Sequence, residues 1–400
     1  MSLVAEHVTR VKASEVSLVT ARALELERQG KSIIRLSAGE PDFPTPDHIK
    51  MACIKALCEN KTKYPPVIGL PELREAICLK LKRDNQLEFA PNQTIVCAGA
   101  KQVLFNALTA TLNPGDEVIL VAPYWMTYAG IVELSRATPV VVPTSHENAF
   151  KLSPADLEKA ITPKTRWVML NSPGNPSGSV LTADELKALA EVLRRHPHVW
   201  ILSDDIYEYL VYDGLKFQNM LNVAPDLADR FLLVHGLSKA YSMTGWRVGY
   251  AAGPEQLIKA MFKIQSQSTS GANHISQWAG VTALTGDHSF VARNLAEYSE
   301  RRNIVMSMVN QISGLSCRPP QGAFYAFISC SSYMGKKTPG GKAIASDDGL
   351  VDYLLNDAGV ATIPGTPFGM GPYLRVSFAT SRTNIKTGLE RIKDALGCLH

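Results

Sequence analysis

The chain has 400 residues, 46% of them apolar and 20% charged, and its 41 lysines and arginines against 37 aspartates and glutamates leave a net charge of +4. That composition excludes a disordered chain and supplies no basic surface for nucleic acid, and apolar runs such as residues 118–122 fall far short of the roughly 20 residues that span a bilayer. Seven cysteines with no Cys-x-x-Cys pair, nine scattered histidines, and an N-terminus broken by Glu6, His7 and Arg10 predict a reduced, cytoplasmic, metal-free chain of two or three domains.

The predicted elements alternate. Residues 94–97 form a short β-branched strand, and Ala98-Gly99-Ala100 opens a helix over 101–112. Asn113-Pro114-Gly115-Asp116 turns the chain into a strand at 117–121, and further strands follow at 140–142 and 167–170. Thr182-x-x-Glu185 is a capping box ahead of a helix at 186–193. Strands at 199–202, 231–234 and 248–251 complete seven buried candidates. Apolar runs separated by helices predict a mainly parallel seven-stranded sheet covered on both faces.

After Pro254 the pattern changes. Helices are predicted at 256–267 and 274–284, and a long one at 288–311 that bridges two domains. A strand at 323–329, an exposed loop at 332–346, a helix at 347–358, a strand at 374–378 and a terminal helix at 383–396 make an α+β tail. The fold class is therefore α/β, with a large domain over 46–294 and a smaller α+β domain from 1–45 and 295–400.

In open α/β sheets, ligands bind beyond the carboxyl ends of the strands. The chain places Gly99-Ala100-Lys101, Tyr124-Trp125, Asn171 to Pro176, Asp204-Asp205-Ile206-Tyr207 and Ser238-Lys239 there, with Arg247 eight residues further on. These suit one cofactor, pyridoxal 5′-phosphate. Lysine supplies the amine for an imine. A buried carboxylate keeps the pyridine nitrogen protonated. An aromatic plate stacks on the ring, and an amide and a phenol serve its O3′. A helix N-terminus with small residues and an arginine fork bind the phosphate.

Three motifs carry a resemblance. Asn-x-Pro-x-Asn-Pro-x-Gly at 171–178 is followed by Asp-Asp-Ile-Tyr at 204–207 and Ser-Lys-x-x-x-x-x-Gly-x-Arg-x-Gly at 238–249. With Ser-Ala-Gly-Glu-Pro-Asp-Phe at 37–43, Lys-Tyr-Pro-Pro at 63–66 and Tyr-Leu-Arg-Val-Ser-Phe-Ala-Thr at 373–380, the chain resembles class I aminotransferases of fold type I over nearly its whole length. It is most similar to bacterial aspartate aminotransferases, whose relatives also accept prephenate or aromatic substrates. The resemblance makes Lys239 the Schiff-base lysine and Asp204 the partner of the pyridine nitrogen. It puts Asn175 and Tyr207 at O3′ and Trp125 over the ring. Gly99, Ala100, Lys101, Ser238 and Arg247 fall around the phosphate. It implies that Arg375 binds the substrate α-carboxylate, that Gly39 lies in a loop closing over the substrate, and that Asn175 and Trp125 also line the substrate. Tyr64 would reach the phosphate of a second subunit, which implies a homodimer with shared sites.

Each residue has a plainer alternative. Lys239 alone reads as a surface lysine, Asp204 as a helix cap with Asp205 the better one, and Arg247 as a structural ion pair. Asn175 and Gly99-Ala100 read as turn residues, Tyr207 and Trp125 as core, Tyr64 as a turn aromatic, and Arg375 as a surface charge. Lys101, a candidate for a distal substrate carboxylate, reads as a solvated first-turn lysine.

Two departures from the family bear on specificity. Ala13-Ser14-Glu15-Val16 stands where the branch often has Pro-Ser-Ala-Thr, so Val16 replaces a hydroxyl that helps hold a second carboxylate. Gly236 replaces a frequent serine, leaving more of the phosphate to Ser238.

The function expected is transfer of an amino group from an L-amino acid, aspartate first, to a 2-oxo acid, 2-oxoglutarate first, by a ping-pong mechanism. The alternatives are an aromatic, prephenate or broad-specificity aminotransferase, and then a pyridoxal-phosphate β-lyase on the same fold. A cofactor-binding regulator would need a DNA-binding segment ahead of motifs that begin at residue 37.

Overall fold

The computed structural model describes residues 3–400; Met1 and Ser2 lie outside the described residues. A short strand β1 (Ile34–Arg35) precedes β2 (Thr94–Cys97), β3 (Glu117–Ala122), β4 (Thr138–Pro143), β5 (Thr165–Asn171), β6 (Trp200–Asp204), β7 (Phe231–Gly236) and β8 (Gly249–Ala252). The last seven form one sheet in the order β2-β8-β7-β6-β5-β3-β4. β8 runs antiparallel to both of its neighbours, and the other contacts are parallel.

Residues inside this sheet are buried on both faces, which explains their unbroken apolar runs. Successive side chains feed opposite layers. Ile95, Trp167, Met169 and Leu232 join one apolar cluster, while Val96, Val168, Leu170 and Leu233 join the other. One expectation needs correction. The run 140–142 reads as a buried strand, but β4 is the sheet edge and Val141 is 42% exposed. An edge strand has a neighbour on one side only, so β-branched residues there need not be covered.

The capping box forms as the sequence predicts. Thr182 Oγ1 accepts from the Glu185 amide at 3.3 Å, and Glu185 Oε2 accepts from the Thr182 amide at 2.8 Å, opening the helix Ala183–Arg195.

A third apolar cluster gathers Val19, Leu26 and Leu36 from the N-terminal segment with residues from Tyr298 to Leu399. Here β9 (Ser316–Cys317), β10 (Tyr325–Ser329), β12 (Ile363–Pro364) and β13 (Tyr373–Ser377) form an antiparallel sheet in the order β12-β13-β10-β9, and β11 (Val360–Ala361) pairs in parallel with β1. The 21-residue helix Ser289–Val309 runs between cores: Phe290 packs in a main-sheet cluster, and Tyr298, Val305 and Val309 pack in the third. Buried Arg301 on it pairs with Asp42 at 2.7 Å and Glu297 at 2.9 Å, tying the 37–43 loop to the helix.

Candidate active site

The carboxyl ends of the central strands open into a cleft of ≈ 710 Å³, closed on its far side by residues of the third cluster. Eleven of the sequence-predicted site residues line it: Gly39, Ala100, Lys101, Trp125, Asn175, Asp204, Tyr207, Ser238, Lys239, Arg247 and Arg375. Gly99 stands just behind, and Tyr64 does not reach it within the chain.

Lys239 follows β7. Its Nζ donates to Gly39 O at 2.6 Å and lies 5.9 Å from the Tyr207 and Phe324 ring centroids. Burial and the nearby Arg375 guanidinium push its amine down to about 8. A lysine so placed carries a neutral, nucleophilic fraction near neutral pH.

Asp204 ends β6, 3% exposed. Its Oδ2 accepts from Tyr128 Oη at 2.7 Å, and its Oδ1 accepts from the Ile206 amide at 3.3 Å. Burial raises this carboxyl above its ordinary value, and those two donors work against the rise. Tyr128 went unread in the sequence: a tyrosine inside the apolar helix Thr127–Leu134 looks like core. Asp205 is not a helix cap, because the chain after β6 turns and no helix starts before Met220. It is buried beneath the cleft, accepting from Ser203 Oγ at 2.6 Å and from the Asn219 side-chain amide.

Arg375, on β13, is 1% exposed rather than a surface charge. Its Nη2 donates to Ser37 O at 2.7 Å and its Nη1 to Asn175 Oδ1 at 3.1 Å, while its Nε is buried without a partner. The guanidinium stacks 4.5 Å from the Tyr325 ring centroid. Asn175 is fixed in turn, its amide donating to Asn171 Oδ1 at 2.9 Å. Tyr207 Oη bonds Tyr325 Oη at 3.0 Å.

At the other end, Gly99 caps the helix Ala100–Thr111 with φ +89°, a conformation that favours glycine. Gly249 on β8 packs so closely on Ala100 that a Cβ there would collide with the Ala100 backbone. The helix N-terminus thus sits directly over the sheet, beside Arg247, whose Nη1 donates to Thr244 O at 2.9 Å. Ser238 is buried in the same wall. Gly236 lies against β8, where a Cβ would sit 3.1 Å from Val248 O. Lys101 is exposed, its Nζ 5.0 Å from the Trp125 ring centroid, and desolvation of the ammonium with the Arg247 charge nearby lowers its pKa. Val16 lines the cleft between Ser14 and Ser17. Tyr64 is 93% exposed.

Beyond the strand ends of a doubly covered sheet, a lysine amine, a buried carboxylate and a buried arginine line one cleft, an arrangement that fits the fold type I aminotransferases. The chain belongs to the class I and II aminotransferase family, which matches residues 31–392, and it is an enzyme of that class. It is 51% identical over 397 residues to a probable aspartate/prephenate aminotransferase of Rhizobium leguminosarum bv. phaseoli, covering 99% of both chains. It is 48% identical over 391 residues to the aspartate aminotransferase of Rhizobium meliloti strain 1021, covering 98% of this chain and 95% of that one. The crystal structure of the Rhizobium meliloti aspartate aminotransferase superposes with a TM-score of 0.96 at 47% identity, covering 100% of both chains. The Thermus thermophilus aspartate aminotransferase with maleate superposes at 0.92 with 40% identity, covering 99% of this chain and 100% of that one. The family uses pyridoxal phosphate. Among the described residues, no helix is long and apolar enough to cross a membrane.

Proposed function

We propose that this enzyme holds pyridoxal phosphate on Lys239 and transfers the amino group of an L-amino acid, aspartate first among them, to a 2-oxo acid such as 2-oxoglutarate in two half-reactions. The observation that carries it is the Lys239 amine, lowered to about 8, in one cleft with buried Asp204 and buried Arg375. The donor set fits the cofactor. Lys239 offers the amine, Asp204 an anion for a ring nitrogen, and Trp125 a plate. Asn175 and Tyr207 offer donors for a phenolic oxygen. The Gly99-Ala100-Lys101 helix start, Ser238 and Arg247 offer donors for a phosphate.

When bound, the cofactor supplies an electron sink that makes the substrate α C–H acidic. The chain supplies the rest. Arg375 offers its forked N–H groups, the unpartnered Nε among them, to the α-carboxylate. Lys239 Nζ, as a neutral amine, would take the α-proton and hand it on past the amino nitrogen, to the carbon two atoms from where it left. Gly39 and the 37–43 loop close over the amine with the small domain (1–45 and 295–400) against the large one (46–294), and exclude water. Lys101 meets a distal carboxylate. The unit is a homodimer in which exposed Tyr64 reaches the second subunit's phosphate. Seven free thiols support a cytoplasmic location.

Aspartate is supported by the relatives' names and by the Thermus thermophilus structure with maleate, a four-carbon dicarboxylate. A second reading, in which prephenate or aromatic donors serve as well, is supported by the apolar Val16 in the cleft wall and by the relative named for both activities. Single half-reactions with each amino acid, followed by the cofactor spectrum, decide between them. Turnover confined to dicarboxylic donors supports the first, and comparable rates with phenylalanine support the second. No half-reaction with any amino acid overturns both.

A further inference from the structure

Asp204 is a charge that burial works against in the cleft. Its own loop adds Asp205 and Tyr207, β7 adds His235, and Lys239 follows that strand. Only two side-chain or backbone donors touch its carboxylate among the described residues, Tyr128 Oη at 2.7 Å and the Ile206 amide at 3.3 Å. The tyrosine bond is the shorter. Tyr128 is itself 3% exposed, and Asp204 is the partner of its hydroxyl. Burial and the carboxylate hold its phenol well above the ordinary value, so it remains a donor at any working pH. Its ring also meets Trp125 edge-to-face, with centroids 5.5 Å apart.

We propose that Tyr128 is a positioning residue: its O–H, donated to Asp204 Oδ2, keeps that carboxylate ionised and fixes its rotation, while its ring braces Trp125. A phenylalanine would fill the same space and brace the same ring. The hydroxyl's specific contribution is therefore electrostatic. Without it the Asp204 carboxyl is left to burial, gains a proton at higher pH, and loses its hold on a cationic ring nitrogen. The inference rests on the pyridoxal-phosphate reading of the cleft.

The test uses Tyr128→Phe holoenzyme. The cofactor dissociation constant is measured at pH 6 and pH 8.5, and the acid limb of kcat/KM is followed alongside. A hydrogen bond to a charged group is worth about tenfold or more. The dissociation constant is expected to rise about tenfold at pH 6 and much less at pH 8.5, with the acid limb moving up by about one pH unit. In an Asp204→Asn background, Tyr128→Phe is expected to change the constant less than about twofold. Fluorotyrosine at position 128, a more acidic donor, is expected to move the limb the other way. It gives a readout that does not depend on how Tyr128→Phe folds. An unmoved limb in both variants, or the same tenfold cost in the Asp204→Asn background, overturns the proposal. Borohydride labelling separates the two readings. No cofactor fixed to Lys239 rejects the cleft assignment, whereas a labelled Lys239 with an unmoved limb rejects Tyr128 alone.

Discussion

Lys239 Nζ and Gly39 O are hydrogen-bonded at 2.6 Å although 200 positions separate them in the chain. The bond ties the end of β7 to the loop beyond β1, so the amine and the loop proposed to close over substrate already touch. In the proposed reading the amine leaves this carbonyl to hold the cofactor. Borohydride reduction of holoenzyme should therefore attach the cofactor to the peptide holding Lys239. Lys239→Ala should lose more than ~10²-fold in rate, the low end of a general acid–base contribution. A label on any other lysine rejects the assignment.

The same amine makes the cofactor-free protein pH-sensitive in a definite direction. Its folded pKa is about 8 against an ordinary 10.5. Between these values the unfolded chain holds a proton that the folded one has released, so stability rises with pH. Below about 8 both states are charged, and the folded state carries the full cost of a desolvated ammonium. Urea unfolding of cofactor-free wild type, compared with Lys239→Met, should show the wild type gaining on the variant from pH 8 to pH 10. Parallel curves would place the amine in water.

Much of this site was legible because its chemistry demands unusual residues at strand ends. Lys239, Asp204 and Asn175 stand where unbroken apolar runs stop, and the Thr182–Glu185 box announces its helix. What stayed hidden depends on partners distant in the chain. Tyr128 belongs to an apolar helix, and only the fold brings Asp204 to its hydroxyl. Lys80 and Glu208 form a buried ion pair across 128 positions, with His235 at 3.3 Å from the same carboxylate, and no local pattern in the sequence announces it. The antiparallel sense of β8 is invisible too, since pairing direction leaves no mark on its four small or aromatic residues. The helices Glu15–Arg28, Asp47–Cys58 and Pro71–Asn85 went unread because their mixed polarity gives weak periodicity.

Arg375 offers a test that side-chain size does not confuse. It is buried, stacked on Tyr325 and held by Ser37 and Asn175, leaving Nε for a ligand. A charged hydrogen bond contributes roughly 1.5–3 kcal/mol, or about 10- to 150-fold. Arg375→Ala should weaken every amino acid by that factor whatever its side chain. Arg375→Lys, which keeps the charge but loses the fork, should recover only part. Equal kcat/KM in wild type and Arg375→Lys would remove the α-carboxylate role.

The homodimer can be tested by complementation. Tyr64 is 93% exposed and outside the cleft of its own chain. If it completes the partner's site, mixing inactive Lys239→Ala with an impaired Tyr64→Ala variant should restore activity in hybrid dimers, where one site is intact. Sedimentation should show a dimer at assay concentration. A fully active monomer contradicts the shared site.

Lys101 offers the test of a preference for dicarboxylic donors. Its Nζ stands 5.0 Å from the Trp125 ring centroid in the cleft wall, with Val16 lining the same cleft. Lys101 is exposed overall, but its ammonium lies over an aromatic face, and desolvation there with the Arg247 charge nearby lowers its pKa, a cost that an anion would relieve. A distal carboxylate would supply that anion. Val16 contributes no hydroxyl to the carboxylate, so the preference should be modest, and Val16→Thr should raise it. Lys101→Ala should weaken aspartate and glutamate while sparing phenylalanine and alanine. The deciding quantity is the ratio of kcat/KM for aspartate to that for phenylalanine, in wild type and in Lys101→Ala. A fall of about tenfold or more fits loss of one charged hydrogen bond. A ratio that does not move makes Lys101 a solvated first-turn lysine, and the aspartate reading then rests on the relatives' names alone.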